Sequence, residues 1–305
     1  METQIIFLIL PQVHLLDLAG PDQVMLEARE YGAKINIHYC SLTDGIKTSN
    51  QLPFGKLTHF KKMNVKAGDY IVIPGCEKEY LFSTDLGRET ELFNWLKKSH
   101  DSKAIICSIC TGAYVLAAAG LLDNRKCTTH WKHTTRLKEK FPKAQVLDNI
   151  LFTEQDGIYT SAGVTAGIDM AMHIIAKITD DHTAYKIARE LVVYIRRQGN
   201  DHQHSIFLNY RNHMHAHIHK LQDWLQVNIH KKSTLDDLAE IANMSSRNLT
   251  RIFKKETGIS IHEFVTLIRK DKIKQLLKNP DITREQIARQ CGLKSERQLI
   301  RIIQN

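Results

Sequence analysis

Runs of strand length that are apolar almost throughout most restrict what this chain can fold into: IIFLIL at 5–10, YIVI at 70–73 and AIICSIC at 104–110. A strand with one solvated face alternates apolar and polar residues, whereas one buried on both faces reads as a continuous apolar run. Helix-like sequence follows each run, PDQVMLEAREYG at 21–32, ELFNWLKKSH at 91–100 and TGAYVLAAAGLL at 111–122, with INIHYC at 35–40 as a further strand. Strand and helix in alternation predict a parallel sheet covered on both faces, an α/β three-layer sandwich. LFTEQDGIYTSAG at 151–163 reads as a hairpin, VTAGIDMAMHIIAKI at 164–178 as a buried closing helix, and 182–197 as one more amphipathic helix.

A chain of 305 residues is too long for one ordinary core, and the pattern changes near residue 198. RRQGNDHQHSIFLNYRNHMHAHIHK at 196–220 holds six of the sixteen histidines beside Gly199, Asn200 and Asp201. We therefore expect an α/β domain over 1–197, a linker over 198–215 and an all-α domain over 216–305. His213/His217 and His215/His219 have the i, i+4 spacing of a helical metal pair. No Cys or acidic ligand joins them, so a polar linker is the expected reading, with no metal and no cofactor.

The longest uncharged apolar run is about ten residues, too short to cross a bilayer. The N-terminus has Glu2 and no basic segment, so 5–10 reads as a strand and not a signal peptide. Six cysteines, at 40, 76, 107, 110, 127 and 291, form no disulfide framework, which points to a reducing cytoplasm. Between 214 and 305 there are 17 Lys and Arg against 10 Asp and Glu, while the first 213 residues carry 25 against 23. Most of the formal charge of +9 thus belongs to the C-terminal third. That asymmetry fits an acidic partner, nucleic acid being the usual one, or a solvated basic face.

The same third contains an internal repeat. LAEIANMSSRNLTRIF at 238–253 matches IARQCGLKSERQLIRII at 287–303: Ala239 pairs with Ala288 at an offset of 49, and Leu249, Arg251, Ile252 and Phe253 pair with Leu299, Arg301, Ile302 and Ile303 at 50. Leu235, Leu238, Ala239 and Ala242 form one helical stripe and Leu249, Ile252 and Phe253 another, separated by a short turn at 243–245. Two short helices with a small residue at their crossing are the pattern of a helix-turn-helix. Cap signals support the boundaries: Ser233 or Thr234 with Asp236 or Asp237, then capping boxes at Thr283 with Gln286 and Ser295 with Gln298. With the apolar stripe inward, Arg247, Asn248, Arg251 and Lys254 face out in the first unit, and Arg297, Gln298 and Arg301 in the second. Arg can grip guanine with two bonds, Asn adenine, and Lys a phosphate. Between the units, 260–278 reads as one helix, a strut of roughly 27 Å that would hold the two outer helices about one DNA turn apart.

SSRNLTRIFKKETGISIHEFVTLIRKDKIKQLL followed by ITREQIARQCGLKSERQLIRI resembles the DNA-binding domain of the AraC/XylS family of bacterial transcription regulators. The family pattern continues past the second outer helix with a Gly, a Pro and a final short helix. This sequence stops at Asn305, so the second unit is expected to lack that support.

Four N-terminal segments resemble the class I glutamine amidotransferase-like, or intracellular-protease-like, superfamily: VHLLDLAGPDQVM at 13–25, IVIPG at 71–75, CSICTGAYVLAAAGLLDNRKCTTHW at 107–131 and SAGVTAGIDMAM at 161–172. The same signatures occur in isocyanide hydratase-like enzymes. Cys110 falls at a strand-to-helix corner, between the small residues Ser108 and Gly112, where a helix N-terminus lowers a thiol's pKa and backbone N–H groups can hold an oxyanion. Asp17 matches the acidic partner of the cysteine in hydratase-like members, and Thr111 follows as it does there. Peptidase and amidotransferase branches need a histidine where Thr111 stands or elsewhere in a triad, so neither activity is expected; His130, in TTHW, is a candidate pocket histidine. Cys107 and Cys110 make a CxxC, but Cys107 lies in the strand and no second CxxC exists. Asp17, Cys110 and Thr111 are therefore read as the floor of a small-molecule pocket.

Together the resemblances imply a cytoplasmic, ligand-responsive transcription regulator and not an enzyme. Its expected partners are promoter DNA, RNA polymerase, a small-molecule effector and a second copy of itself, with no membrane. The alternative is a cysteine-dependent hydratase or hydrolase carrying a vestigial DNA-binding tail.

Overall fold

The computed structural model describes residues 2–82, 89–193, 199, 210, 213–277 and 282–304. The chain divides into two compact units, Met1–Gln203 and His204–Asn305. Of the linker expected at 198–215, only 199, 210 and 213–215 lie within the described residues.

The first unit is built on a seven-stranded sheet of order β3-β2-β1-β4-β5-β9-β8, with β1 at Thr3–Ile9, β2 at Ile35–Ser41, β3 at Thr58–His59, β4 at Tyr70–Ile73, β5 at Ile105–Ile109, β8 at Phe152–Gln155 and β9 at Ile158–Ser161. Every neighbouring pair is parallel except β8 and β9. Those two form the expected hairpin, turning at Asp156 and Gly157, both with positive φ, as a two-residue type I′ turn requires. A small parallel pair, β6 at Lys126–Cys127 and β7 at Gln145–Val146, stands apart.

The continuous apolar runs have the predicted cause. Alternate side chains of a strand point to opposite faces, and here both faces are buried: Ile5, Phe7 and Ile9 enter one core, Ile6, Leu8 and Leu10 the other. Helices α1 (Leu15–Glu30), α6 (Thr165–Ile178) and α7 (Asp181–Glu190) cover the first face. The second face carries α2 (Lys78–Leu81), α3 (Thr90–Asp101), α4 (Ala113–Ala118) and α5 (Thr134–Lys140). The three-layer α/β sandwich is therefore as expected.

Two boundaries differ from the sequence reading. Helix α1 starts at Leu15 and runs through Pro21, so the segment before the proline is already helical and Asp17 sits in the first turn. Helix α7 ends at Glu190, where Leu191 caps it and Val192 turns left-handed at φ 54°; the rest of the expected 182–197 helix beyond Val193 lies outside the described residues.

The second unit is all helical: α8 (Ala216–Val227), α9 (Leu235–Ile241), α10 (Ser246–Thr257), α11 (Ile261–Leu276), α12 (Arg284–Gln290) and α13 (Glu296–Gln304). Helices α9 and α10 bury Leu238, Ala239, Ala242, Leu249 and Phe253 against α8 and the first half of α11. Helices α12 and α13 bury Ile287, Ala288, Cys291 and Leu299 against Ile273, in the second half of α11. One long helix thus serves two helix-turn-helix units, each with its own core. Among the described residues no helix is long and apolar enough to cross a membrane.

Candidate functional site

The carboxyl ends of β4, β5 and β9, with the start of α1, assemble the N-terminal site. In open α/β sheets this edge is where ligands bind. Strand β5 ends at Ile109, and Cys110 follows in the left-handed region at φ 54°, a strained conformation for a residue with a Cβ. Its surroundings impose the turn. A Cβ on Gly112 would stand 2.3 Å from the Ile73 carbonyl oxygen, and one on Gly163 would stand 2.3 Å from Cys110 Cβ. A Cβ on Gly75 would meet both Asp17 and Cys110, so three chain segments converge on this cysteine with no room for side chains.

Asp17, 1% exposed, reaches the same point from α1. Its Oδ1 accepts the Val164 N–H at 2.6 Å, which ties α1 to the start of α6. Its Oδ2 lies 3.4 Å from Nδ1 of His14, three residues earlier. His14, Asp17 and Cys110 each offer a ligand atom within 4.8 Å of the others. The hydroxyl of Thr111 donates to the Cys76 carbonyl at 2.7 Å and accepts the Cys76 N–H at 3.0 Å, so it braces the β4 loop. Thr129 donates to the Cys110 carbonyl at 2.7 Å. His130, next in sequence, has Nδ1 accepting the Lys132 N–H at 3.4 Å and its ring 5.5 Å from Trp131 and 6.0 Å from His133.

Asp17, Cys110 and Thr111 lie together around Gly75, and His14 joins them. His14 lies inside the VHLLDLAG motif, three residues before Asp17, and its i, i+3 spacing on a helix start was the available signal. Gly75 and Gly163 also lie inside IVIPG and SAGVTAGIDMAM, but the residues they press against are distant in sequence, Asp17 and Cys110 for Gly75 and Cys110 for Gly163, which no local pattern reveals.

The electrostatics differ from the expectation at the corner. Burial first, and the Asp17 carboxylate after it, push the Cys110 thiol well above its ordinary range, outweighing the Thr111 backbone N–H that favours the thiolate. Helix α4 is six residues long and is entered through a 3-10 turn at Cys110–Gly112, so little dipole is available to oppose desolvation. For His14 the neighbouring carboxylate wins: Asp17 raises its pKa against the effect of burial, with help from Glu77.

In the second unit, α9 opens with a capping box between Thr234 and Asp237. Asn243 makes the turn at φ 51°, and Ser245 caps α10 by accepting the Asn248 N–H. Leu249 and Phe253 are fully buried, which turns Arg247, Arg251 and Lys254 outward as exposed side chains and leaves Asn248 half-buried. The Asn248 carbonyl oxygen accepts from Arg251 Nη2 at 2.9 Å, so these two candidates are held as a pair. In α13, Leu299 is buried and Arg297, Gln298 and Arg301 are exposed. Gln298 and Arg301 line a cleft of about 530 Å³ together with Lys232, Arg269, Lys270 and Lys294, and no acidic residue among the described residues lines it. The histidines take a different arrangement from the i, i+4 pairs: His213 lies 4.4 Å from His219 and His215 5.9 Å from His217, ring to ring, because α8 begins only at Ala216.

Comparison with known proteins matches both units. The model of the DJ-1/PfpI family matches residues 3–177, and that of a helix-turn-helix domain matches 238–305. The HTH-type transcriptional regulator GbdR of Pseudomonas aeruginosa is 30% identical over 189 residues, 62% of this chain and 51% of that protein. This chain thus spans about half of that relative's length. The isonitrile hydratase of Pseudomonas putida is 29% identical over 192 residues, 62% of this chain and 78% of that enzyme. A crystal structure of an AraC family transcriptional regulator from Pseudomonas putida shares the fold with a TM-score of 0.53 at 18% identity, covering 62% of this chain and 99% of that one.

Proposed function

Because the chain belongs to the DJ-1/PfpI family and carries a helix-turn-helix domain behind that fold, we propose that it is a sequence-specific DNA-binding transcription regulator. The observation that carries this reading is the repeated arrangement of α10 and α13: each buries an apolar stripe in its own small core and presents arginines outward. Arg247, Asn248, Arg251 and Lys254 would contact one major groove, and Arg297, Gln298 and Arg301 the next. Helix α11, 16 residues long, would span roughly 24 Å and set the separation of the two.

In this reading residues 1–197 bind a small effector through the Asp17, Cys110 and Thr111 region, with His130 nearby, and mediate homodimerisation, while 216–305 bind promoter DNA. An effector that favours one arrangement of the protein shifts DNA occupancy or contact with RNA polymerase. Such a protein works in the cytoplasm. A genomic binding map, followed by a salt titration on the sites it finds, tests the reading. Discrete sites whose affinity falls steeply with salt are expected; indifference to sequence at every salt concentration would overturn it.

A second reading keeps enzyme chemistry at Cys110, supported by the strained corner that faces it toward Asp17 and by the likeness to isonitrile hydratase. The high thiol pKa disfavours it, since the thiolate is the nucleophile. Cys110→Ala separates the two: DNA regulation that survives the change supports the regulator, and loss of isonitrile turnover would establish the enzyme.

A further inference from the structure

We propose that His14, Asp17 and Cys110 form a binding site for a borderline-soft divalent cation of the zinc type, with a fourth coordination position left open. A ring nitrogen, a carboxylate oxygen and a sulfur within 4.8 Å of one another are three of the ligand types that zinc takes, and three protein ligands with an open position are the set found where the metal also binds water or a ligand. The proposal concerns the N-terminal unit alone and does not rest on the DNA-binding reading.

Distances within the cluster suit a cation. His14 Nδ1 and Asp17 Oδ2 are 3.4 Å apart, long for a hydrogen bond. That separation equals the edge of a tetrahedron with metal–ligand bonds of about 2.0–2.1 Å, which is roughly 3.3–3.4 Å. The sulfur must come within roughly 3.6 Å of both, a closing of at most about 1.2 Å from the observed limit. Asp17 Oδ2 is buried and takes no backbone or hydroxyl donor; it faces the His14 ring and the Cys110 thiol, while its sister oxygen is held by the Val164 N–H. Long contacts of this kind compensate a buried carboxylate oxygen poorly, and a cation on it would supply the stronger interaction.

The surroundings of the three ligands also match a metal site. A ligating histidine commonly directs its other ring nitrogen at a carboxylate; His14 Nε2 faces Glu77 Oε1 at 3.5 Å, a contact no shorter than its one with Asp17 that would have to shorten to fix the tautomer. The Thr111 backbone N–H is directed at the Cys110 sulfur, where it would support a thiolate. Gly75 and Gly163 close in on Cys110 and hold it in its left-handed conformation, so the sulfur is placed before any ion arrives. The His14 side chain is 32% exposed, which gives an ion and its fourth ligand a way in from solvent. On binding, the Cys110 thiol gives up its proton to solvent as the sulfur–metal bond forms, with no change in oxidation state.

Anaerobic titration of the reduced full chain, free of any polyhistidine tag, with Co²⁺ as the probe tests the site. A thiolate-to-cobalt charge-transfer band should appear, saturate at one equivalent and be displaced by Zn²⁺. Cys110→Ser should abolish the band. His14→Gln, a change at a half-exposed side chain that leaves the fold intact by circular dichroism, should weaken Co²⁺ binding at least tenfold. Absence of the band at saturating Co²⁺, or a band of unchanged strength and affinity in either variant, overturns the proposal. Binding without a thiolate band would assign the ion to nitrogen and oxygen ligands, such as the histidines at 213–219, and would equally overturn it.

Discussion

Cys110 shows how one residue's position and its chemistry can pull in opposite directions. Its corner, with φ 54° and glycines pressed against it on two sides, is the geometry of an exposed nucleophile, yet burial and Asp17 keep its thiol protonated. In the metal-free protein at neutral pH, Cys110 should therefore be alkylated by iodoacetamide far more slowly than a free cysteine, and at the ordinary rate once the protein is unfolded. Mass spectrometry of the Cys110 peptide measures both rates, and fast labelling of the folded protein would show the thiol to be activated. The glycines make a complementary prediction. Gly163→Ala places a Cβ 2.3 Å from Cys110 Cβ at a residue with φ 84°, and a loss of roughly 2 kcal/mol or more is expected in chemical unfolding of the first unit. Cys110 could be picked out of the sequence by its place at a strand-to-helix corner, and Asp17 by the resemblance of its segment to hydratase-like members. Gly163 acts only by having no side chain near a residue far away in the chain, and that becomes visible only in three dimensions.

Elements were legible wherever their cause is local. The capping box at Thr283 forms as the residues indicate, the cap signal at 233–237 becomes a box between Thr234 and Asp237, and a further box joins Ser260 to Glu263. Ser295 behaves differently: it accepts the Gln298 N–H, but Gln298 Oε1 accepts from Lys294 N–H, one residue before the expected partner. The extra residue in the second unit's turn supplies that alternative donor. Thr283→Ala removes the side-chain acceptor of the Gln286 N–H and should cost about 1 kcal/mol, read as a lower denaturant midpoint for α12 with unchanged slope. Full stability in that variant would mean that packing alone defines the start of α12. The beginning of α1 was hidden for the opposite reason. Pro21 reads as a helix opener, but packing against α6, where Gly167 brings the two helices close enough for Pro21 and Ile109 to meet it, stabilises a further turn before the proline.

On the scale of the whole molecule the two helix-turn-helix units are unequal. Among the described residues the first unit buries twelve apolar side chains in its core and the second five, and Leu277, Ile300 and Ile303 of the second remain exposed. Stability follows buried apolar surface, so backbone amides of α12 and α13 should exchange with solvent faster than those of α9 and α10; equal protection would show that α11 couples the units into one cooperative block. If the protein binds DNA as proposed, the inequality bears on affinity, because a helix that opens often contributes less to it. Substitution separates base reading from phosphate attraction. Lys254→Gln should weaken binding to all sequences alike and reduce the slope of log K against log salt by about one, as expected when one phosphate contact is lost. Arg247→Ala should instead cost about 1–3 kcal/mol on the preferred site and little on random DNA. If α13 is the weaker reader, Arg297→Ala will lower discrimination less than Arg247→Ala does on the same site. An equal or larger loss at Arg297 would mean that DNA orders the second unit fully, and the difference in buried core would then matter only for the free protein.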